Sequence, residues 1–369
     1  MKHLWLGWVL LSAAAPAMEM TVFDADGSVR QVPLPAAPPE QQAVPALPAT
    51  PSAAPAVAGQ LAAINPMPAS TGRMRHTLAL LYRNDNLDWR IAPGDEQPDT
   101  LSELSWHDLK LAGLEWRAQW PLAPHWSLET LLAGASEIGG SVRDSDYALS
   151  DRQAEFSRSV AEVDHSHVAD AALGLRLQLS ESRLAMPGVA LTGGVVWHEQ
   201  TLRASRARQE VSRADLCPPS LCNSFTPPPV GYGFDAGSQY RADWRGGYLG
   251  AQLEFWLQPA LSLRLEYQYQ RLKYHAEANW ALRSEFAHPL SFSHDTWGHN
   301  HQGQLALNFF ASDGSGWQLA LSGSQARTGS GDAEVRWADS GGVAQGSGLR
   351  LQAVNWRSAG ISLGYSSTF

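Results

Sequence analysis

The feature that most narrows the fold is a period of two that puts charge on one face of a strand and apolar groups on the other. Between residues 261 and 270, Leu261, Leu263, Leu265, Tyr267 and Tyr269 alternate with Ser262, Arg264, Glu266, Gln268 and Gln270. Apolar side chains facing lipid and polar ones facing a wet interior are the pattern of a transmembrane barrel. A soluble sandwich would rarely gather Arg, Glu and Gln on its covered face. The same alternation occurs at Leu78, Leu80 and Tyr82, through Leu109 to Trp116, and through Leu173 to Leu179. After the first 17 residues, no apolar run approaches the roughly 20 residues a membrane helix needs, which leaves strands to do the spanning.

Ten such segments are predicted, over 73–84, 104–120, 125–140, 166–180, 187–205, 239–257, 260–277, 299–311, 315–328 and 348–369. The connections after the second, fourth, sixth and eighth are short, and the others are long and polar. Short periplasmic turns and long extracellular loops follow from the way outer-membrane barrels sit. An even count places both termini on the periplasmic side. The last segment, Ile361 to Phe369, alternates cleanly and ends on an aromatic, which resembles the assembly signal of bacterial outer-membrane barrels. The expected fold is all-β: a ten-stranded antiparallel transmembrane β-barrel in the cell outer membrane, with long extracellular loops and a disordered N-terminal extension. Trp120, Trp126, Trp197, Tyr240, Trp256, Tyr274, Trp317 and Trp356 stand near strand ends, where aromatic girdles are expected.

The N-terminus sets the compartment. Lys2 and His3 precede an apolar stretch from Leu4 to Ala15, and Ala15-Pro16-Ala17 is a small-residue cleavage site. Residues 1–17 therefore read as a signal peptide. Residues 18–72 read as a Pro/Ala-rich periplasmic extension, mostly disordered. It is either a plain tail or a tether for a periplasmic partner. Within it, Thr21 to Val29 has the makings of a hairpin turning at Asp26-Gly27. The barrel is assigned to 73–369. The chain carries a net charge of -9, which argues against nucleic acid as a partner. The two cysteines, Cys217 and Cys222, lie in a Pro-rich loop. In an exported protein a local disulfide between them is the default.

Chemistry is concentrated in Gly139-Gly140-Ser141-Val142-Arg143-Asp144-Ser145-Asp146-Tyr147. Spaced i, i+2 on an extended chain, Asp144 and Asp146 share a face, here the barrel interior at its extracellular rim. Two close carboxylates repel, so that one holds a proton or both position a water. The bland alternative is a solvated acidic loop. Seven of the twelve histidines stand in or beside two of the long loops: His165, His167, His275, His288, His294, His299 and His301. His299 with His301, and His165 with His167, each put two imidazoles on one strand face, but no third ligand is defined, so no metal is expected.

Leu101 to Trp106, Leu114-Glu115-Trp116, Gly139-Gly140, Asp144 to Tyr147, Ser157-Arg158, Asp164, Gly193 to Glu199, Tyr248-Leu249-Gly250 and Ala359 to Phe369 together resemble the omptin family. The resemblance runs in order from about residue 73 to 369. It implies a ten-stranded outer-membrane endopeptidase that cleaves extended peptides at the barrel mouth with an activated water. In that family the water lies between an Asp pair and an Asp–His pair. Asp144 and Asp146 match the first. For the second, the sequence offers His288 in Phe286-Ala287-His288, with Phe where the Asp belongs, and otherwise His275 in reversed order before Glu277. The expected catalytic set is Asp144, Asp146 and His288. The alternative is a barrel without protease activity, serving as adhesin, receptor or partner anchor. The resemblance also implies lipopolysaccharide bound on the outer wall at Trp197, Glu199 and Arg203 as a requirement for activity, with no other cofactor.

Overall fold

The computed structural model describes residues 19–23, 29–33, 73–94, 97–183, 186–218, 226–234, 237–339, 342–346 and 348–369. The signal-peptide reading, most of the 18–72 extension, the Asp26-Gly27 turn and Cys222 lie outside these residues. Two units are present. The first holds one antiparallel hairpin, β1 (Glu19–Phe23) and β2 (Val29–Pro33), with Phe23 opposite Val29.

The second unit contains β3 (Arg75–Pro93), β4 (Ser102–Ala123), β5 (Trp126–Leu149), β6 (Gln153–Val163), β7 (His167–Ser180), β8 (Gly188–Ser212), β9 (Gly233–Phe234), β10 (Ser238–Gln258), β11 (Leu261–Asn279), β12 (Phe292–Phe310), β13 (Gly316–Thr328), β14 (Gly331–Asp339), β15 (Gly342–Gly346) and β16 (Leu349–Thr368). All pairings are antiparallel. β6 and β7 occupy one place in the ring, both lying between β5 and β8. β13 and β14 likewise share the place between β12 and β16. β16 pairs with β3 and closes the ring at ten positions. Closure leaves no unpaired strand edge in lipid.

Several strands run well past the predicted ends. β3 continues to Pro93 and β5 to Leu149, and β5 joins β6 through only Ser150 to Arg152. The stretch read as a long loop between the third and fourth segments is therefore a tall two-stranded extension. The reason is solvent. Alternation marks a strand only where one side meets lipid, and beyond the bilayer that contrast disappears.

The lipid band is visible in the exposed apolar side chains. Leu78, Leu80 and Tyr82 of β3, Leu132 and Ile138 of β5, Leu305 and Phe309 of β12, and Ile361, Leu363 and Tyr365 of β16 all point outward. Inside this band the wall is polar. Arg117 pairs with Glu115 at 2.6 Å, Arg176 with Glu129 at 3.5 Å, and Asn300 donates to Gln270 at 3.0 Å. At the top of this lumen Arg83 joins Asp85 and Asp170, and His198 bonds Asp170 while stacking on Trp356 at 4.1 Å.

Above the band the pattern inverts. A packed apolar cluster takes residues from every place in the ring, including Leu87, Trp106, Val142, Ala161, Leu202, Trp244, Tyr274, Phe292, Val335 and Val354. Water surrounds this part of the wall, so the apolar groups turn inward as in a soluble core, each large one contributing about 1.5–3 kcal/mol. Three residues expected in the girdle belong to this interior: Tyr240 and Tyr274 are fully buried, and Trp356 nearly so. Trp126 and Trp317 do face outward.

Candidate active site

Asp144 and Asp146 lie on β5, above the lipid band, six and eight positions beyond Ile138. Low on β5 the covered residues are odd-numbered, among them Ser127 and Ala135; higher up, the inward positions are even-numbered, Val142, Asp144 and Asp146. The switch falls at Gly139-Gly140, where the β4–β5 register shifts and where Asp108 of β4 takes a positive φ of 50°. Such a bulge re-aims the side chains that follow it. Without it, the pair would face away from the interior.

The two carboxyl groups lie in the wall of a cavity of about 270 Å³. Aromatic side chains supply much of the remainder: Trp89, Phe156, Trp280, Phe286, Phe292 and Trp337. Ile91, Leu101, Leu104, Val335 and Leu349 add aliphatic surface, and the other polar groups are Ser102, Arg283 and His294.

One side of the cavity is the β11–β12 connection, residues 280–291, which is backbone-bonded at many points. Trp280 N donates to Ser291 Oγ at 2.8 Å, Leu282 N to Ser238 Oγ at 3.2 Å, and Ala287 N to the Arg336 carbonyl at 2.8 Å. A bridge pairs Phe286 with Trp337. So held, the connection reaches the acids. Trp280 Nε1 donates to Asp144 Oδ2 at 3.1 Å, and Arg283 donates to Asp146 Oδ2 at 3.3 Å and to Glu285 Oε1 at 2.6 Å.

Burial, then repulsion from Asp146, pushes the Asp144 carboxyl up to about 7. Burial also raises Asp146, while Arg283 opposes the rise. Two carboxyls so placed can hold one proton between them, the arrangement from which one acid and one base can be drawn. His294, on β12, is the one histidine in the cavity wall; Tyr240 Oη lies 3.3 Å from its Nδ1, and burial pushes it down to about 3. It is a neutral imidazole there.

The structure brings Asp144 and Asp146 together and sends His288 elsewhere. Ala287 takes the buried position and Phe286 the bridge to Trp337, which leaves His288 exposed, donating to Asn279 Oδ1 at 2.7 Å. His275 points outward, 3.1 Å from Asp295 and 3.5 Å from Glu277. The residues that sequence reasoning missed are Trp280 and Arg283; His294 stood there only among the clustered histidines, with no role of its own. Of the two, only Arg283 carried a signal, as the one arginine of the 280–291 connection. Among the described residues, no group of three or more His, Cys, Asp or Glu is set to hold a metal. His299 and His301 instead lie among Tyr267 and Tyr269 on the outer wall.

Trp197, Glu199 and Arg203 line up along the outer side of β8. Trp197 donates to Asp243 at 3.2 Å, Glu199 accepts from Arg241 at 2.9 Å, and Arg203 is exposed. Arg245 stands 3.2 Å from Asp243. Cys217 is disulfide-bonded, and the chain's other cysteine is Cys222.

The family described as Protochlamydia outer membrane protein, Pom, matches residues 77–369. The chain belongs to this family. The match spans the whole barrel and places this Pom-family chain in the outer membrane. Among solved structures, the outer membrane protease OmpT from Escherichia coli is similar, with a TM-score of 0.61 and 12% identity over 81% of this chain and 98% of that one. At that identity the likeness shows a shared barrel architecture alone. The translocator domain of the autotransporter NalP from Neisseria meningitidis is 11% identical over 80% of this chain and 89% of that one, at a TM-score of 0.33. The toluene transporter TodX from P. putida is 11% identical over 80% and 90%, at 0.27. No curated protein matches the sequence.

Proposed function

We propose that this Pom-family barrel hydrolyses extended peptides at its extracellular mouth through the Asp144–Asp146 carboxyl pair. One observation carries the reading: half-buried Asp144 and buried Asp146, spaced i, i+2 on β5, line an open-sided cavity outside the lipid, with Asp144 pushed up to about 7. A strongly perturbed acid in an apolar pocket is the usual mark of a working site.

The division of labour follows from their partners. Arg283 keeps the negative charge on Asp146, so Asp146 takes the proton from an attacking water. Asp144 holds its proton until about pH 7 and donates a hydrogen bond to the substrate carbonyl as its oxygen gains charge. Paired carboxyls that share one proton need no histidine for this chemistry. His288 and His275 have no part in it.

The test is peptide-library cleavage by the refolded barrel with lipopolysaccharide. Asp144→Asn and Asp146→Asn should each lower the rate about 100-fold or more, and His288→Ala should leave it unchanged. A folded native barrel that cleaves nothing would overturn the reading.

A second reading rests on the same contacts. Asp144 and Asp146 each hold a residue of the 280–291 connection, so the pair also serves to pin that loop for a binding role as receptor or adhesin. Under this reading the Asn variants change no rate, and Asp144→Ala combined with Asp146→Ala opens the connection to proteolytic nicking.

A further inference from the structure

The substrate class follows from the cavity rather than from the acids. We propose that the cavity beside Asp144 and Asp146 is a pocket for one aromatic side chain of the bound peptide; this rests on the hydrolase reading for its position, though not for its existence. Three features carry it.

The first is size. An apolar cavity of roughly 150 Å³ takes a benzene molecule. This one, at about 270 Å³, has room for a phenol or an indole.

The second is the wall. The rings of Trp89 and Phe292 meet edge to face at 5.5 Å, and those of Phe286 and Trp337 do so at 5.1 Å. These are the arrangements in which a further ring packs favourably. Leu104 and Val335, both buried, complete the apolar surface.

The third is charge. Arg283 bonds both Asp146 and Glu285, and Trp280 donates to Asp144, so each carboxyl of the pocket already has a donor. A lysine or arginine side chain entering here would find the acids already partnered and would surrender its hydration for ring contacts alone. An aromatic side chain meets no such cost.

The experiment uses the full-length barrel refolded in detergent and calorimetric titration with four probes: the N-acetyl amides of phenylalanine, tryptophan, leucine and lysine. The aromatic probes should bind at least tenfold more tightly than the lysine probe. Leu104→Trp, which fills the pocket, should abolish that binding. Val335→Phe is the second filler, in case the first does not fold; heat-modifiable migration on gels reports folding for both. Asp144→Asn should retain aromatic binding while losing cleavage, which separates the pocket from the chemistry. If the lysine probe binds as well as the aromatic ones, or no probe binds a folded native barrel, the pocket assignment is overturned. If the probes bind but nothing is cleaved, the pocket stands and the hydrolase reading fails.

Discussion

Trp280 Nε1 reaches Asp144 Oδ2 at 3.1 Å, joining residues 136 positions apart in the chain. The indole comes from the β11–β12 connection and the carboxyl from β5. His288, which the omptin resemblance implies as the base, bonds Asn279 instead.

Asp144 makes stability depend on pH. Its folded pKa, about 7, lies above the ordinary carboxyl value of 3.8. The folded state therefore binds the proton more tightly than the unfolded state between those values. Its favourable contribution is complete below pH 3.8 and is lost as pH rises through about 7. Asp144→Asn keeps an acceptor for Trp280 and should flatten that slope, with a gain of about 1–2 kcal/mol at pH 8. Urea unfolding of both proteins at pH 4, 6 and 8 measures this; parallel slopes would count against the assignment.

Arg283 sets the acidic limb of the proposed reaction. Removing its charge takes away the main influence that opposes burial, so the Asp146 carboxyl rises further. Arg283→Gln should shift the acidic limb of the cleavage profile upward by about one unit or more. Arg283→Lys should bring part of that shift back. The readout is kcat/KM from pH 4 to 9.

Arg83 is a structural cation. It is buried between Asp85 and Asp170, the second contact at 2.8 Å, and its guanidinium lies 5.6 Å from the Trp356 ring. Arg83→Met would leave two covered carboxylates without their cation, a change that costs about 3–5 kcal/mol. The urea midpoint should fall accordingly, and the folded band on unheated gels should weaken. A Met variant as stable as the native barrel would show that the network is dispensable.

The outer wall of β8 and β10 gathers exposed arginines. Arg203, Arg241 and Arg245 are exposed there beside Trp197 and Glu199, and guanidinium groups suit phosphate oxygens. Arg203→Ala combined with Arg245→Ala should lower lipopolysaccharide retained per purified barrel by about threefold or more. Phosphate assay after detergent washing checks it. Unchanged retention would place lipopolysaccharide elsewhere on the wall.

How much of this could be read from the chain depended on where lipid lies. Ten strands were legible because Leu78, Leu80 and Tyr82, or Ile361, Leu363 and Tyr365, alternate against polar neighbours across the bilayer. Above it, Trp89, Trp106 and Trp244 fill an interior that the lipid-facing rule calls polar, so strand ends and the apolar core were misjudged together. The Asp pair was legible because i, i+2 spacing settles a shared face. Which face it shares depended on the bulge at Gly139-Gly140, and nothing in a period of two reports a bulge. Trp280 was hidden for another reason: its approach to β5 depends on how the 280–291 connection is bonded to β14, a long-range fact with no local signature.

Six positions of β5 separate Ile138 from Asp144, which at the tilt of a barrel strand is roughly 15 Å of height. That distance decouples the mouth from hydrophobic mismatch. Lengthening or shortening the acyl chains of the surrounding lipid changes what the girdle must cover, at fractions of a kcal/mol per Å. The carboxyl pair, braced by its own dry core rather than by the bilayer, should respond to neither. An outer membrane remodelled by temperature or growth phase would then carry the same mouth, with the same proton affinity, at a new level of immersion.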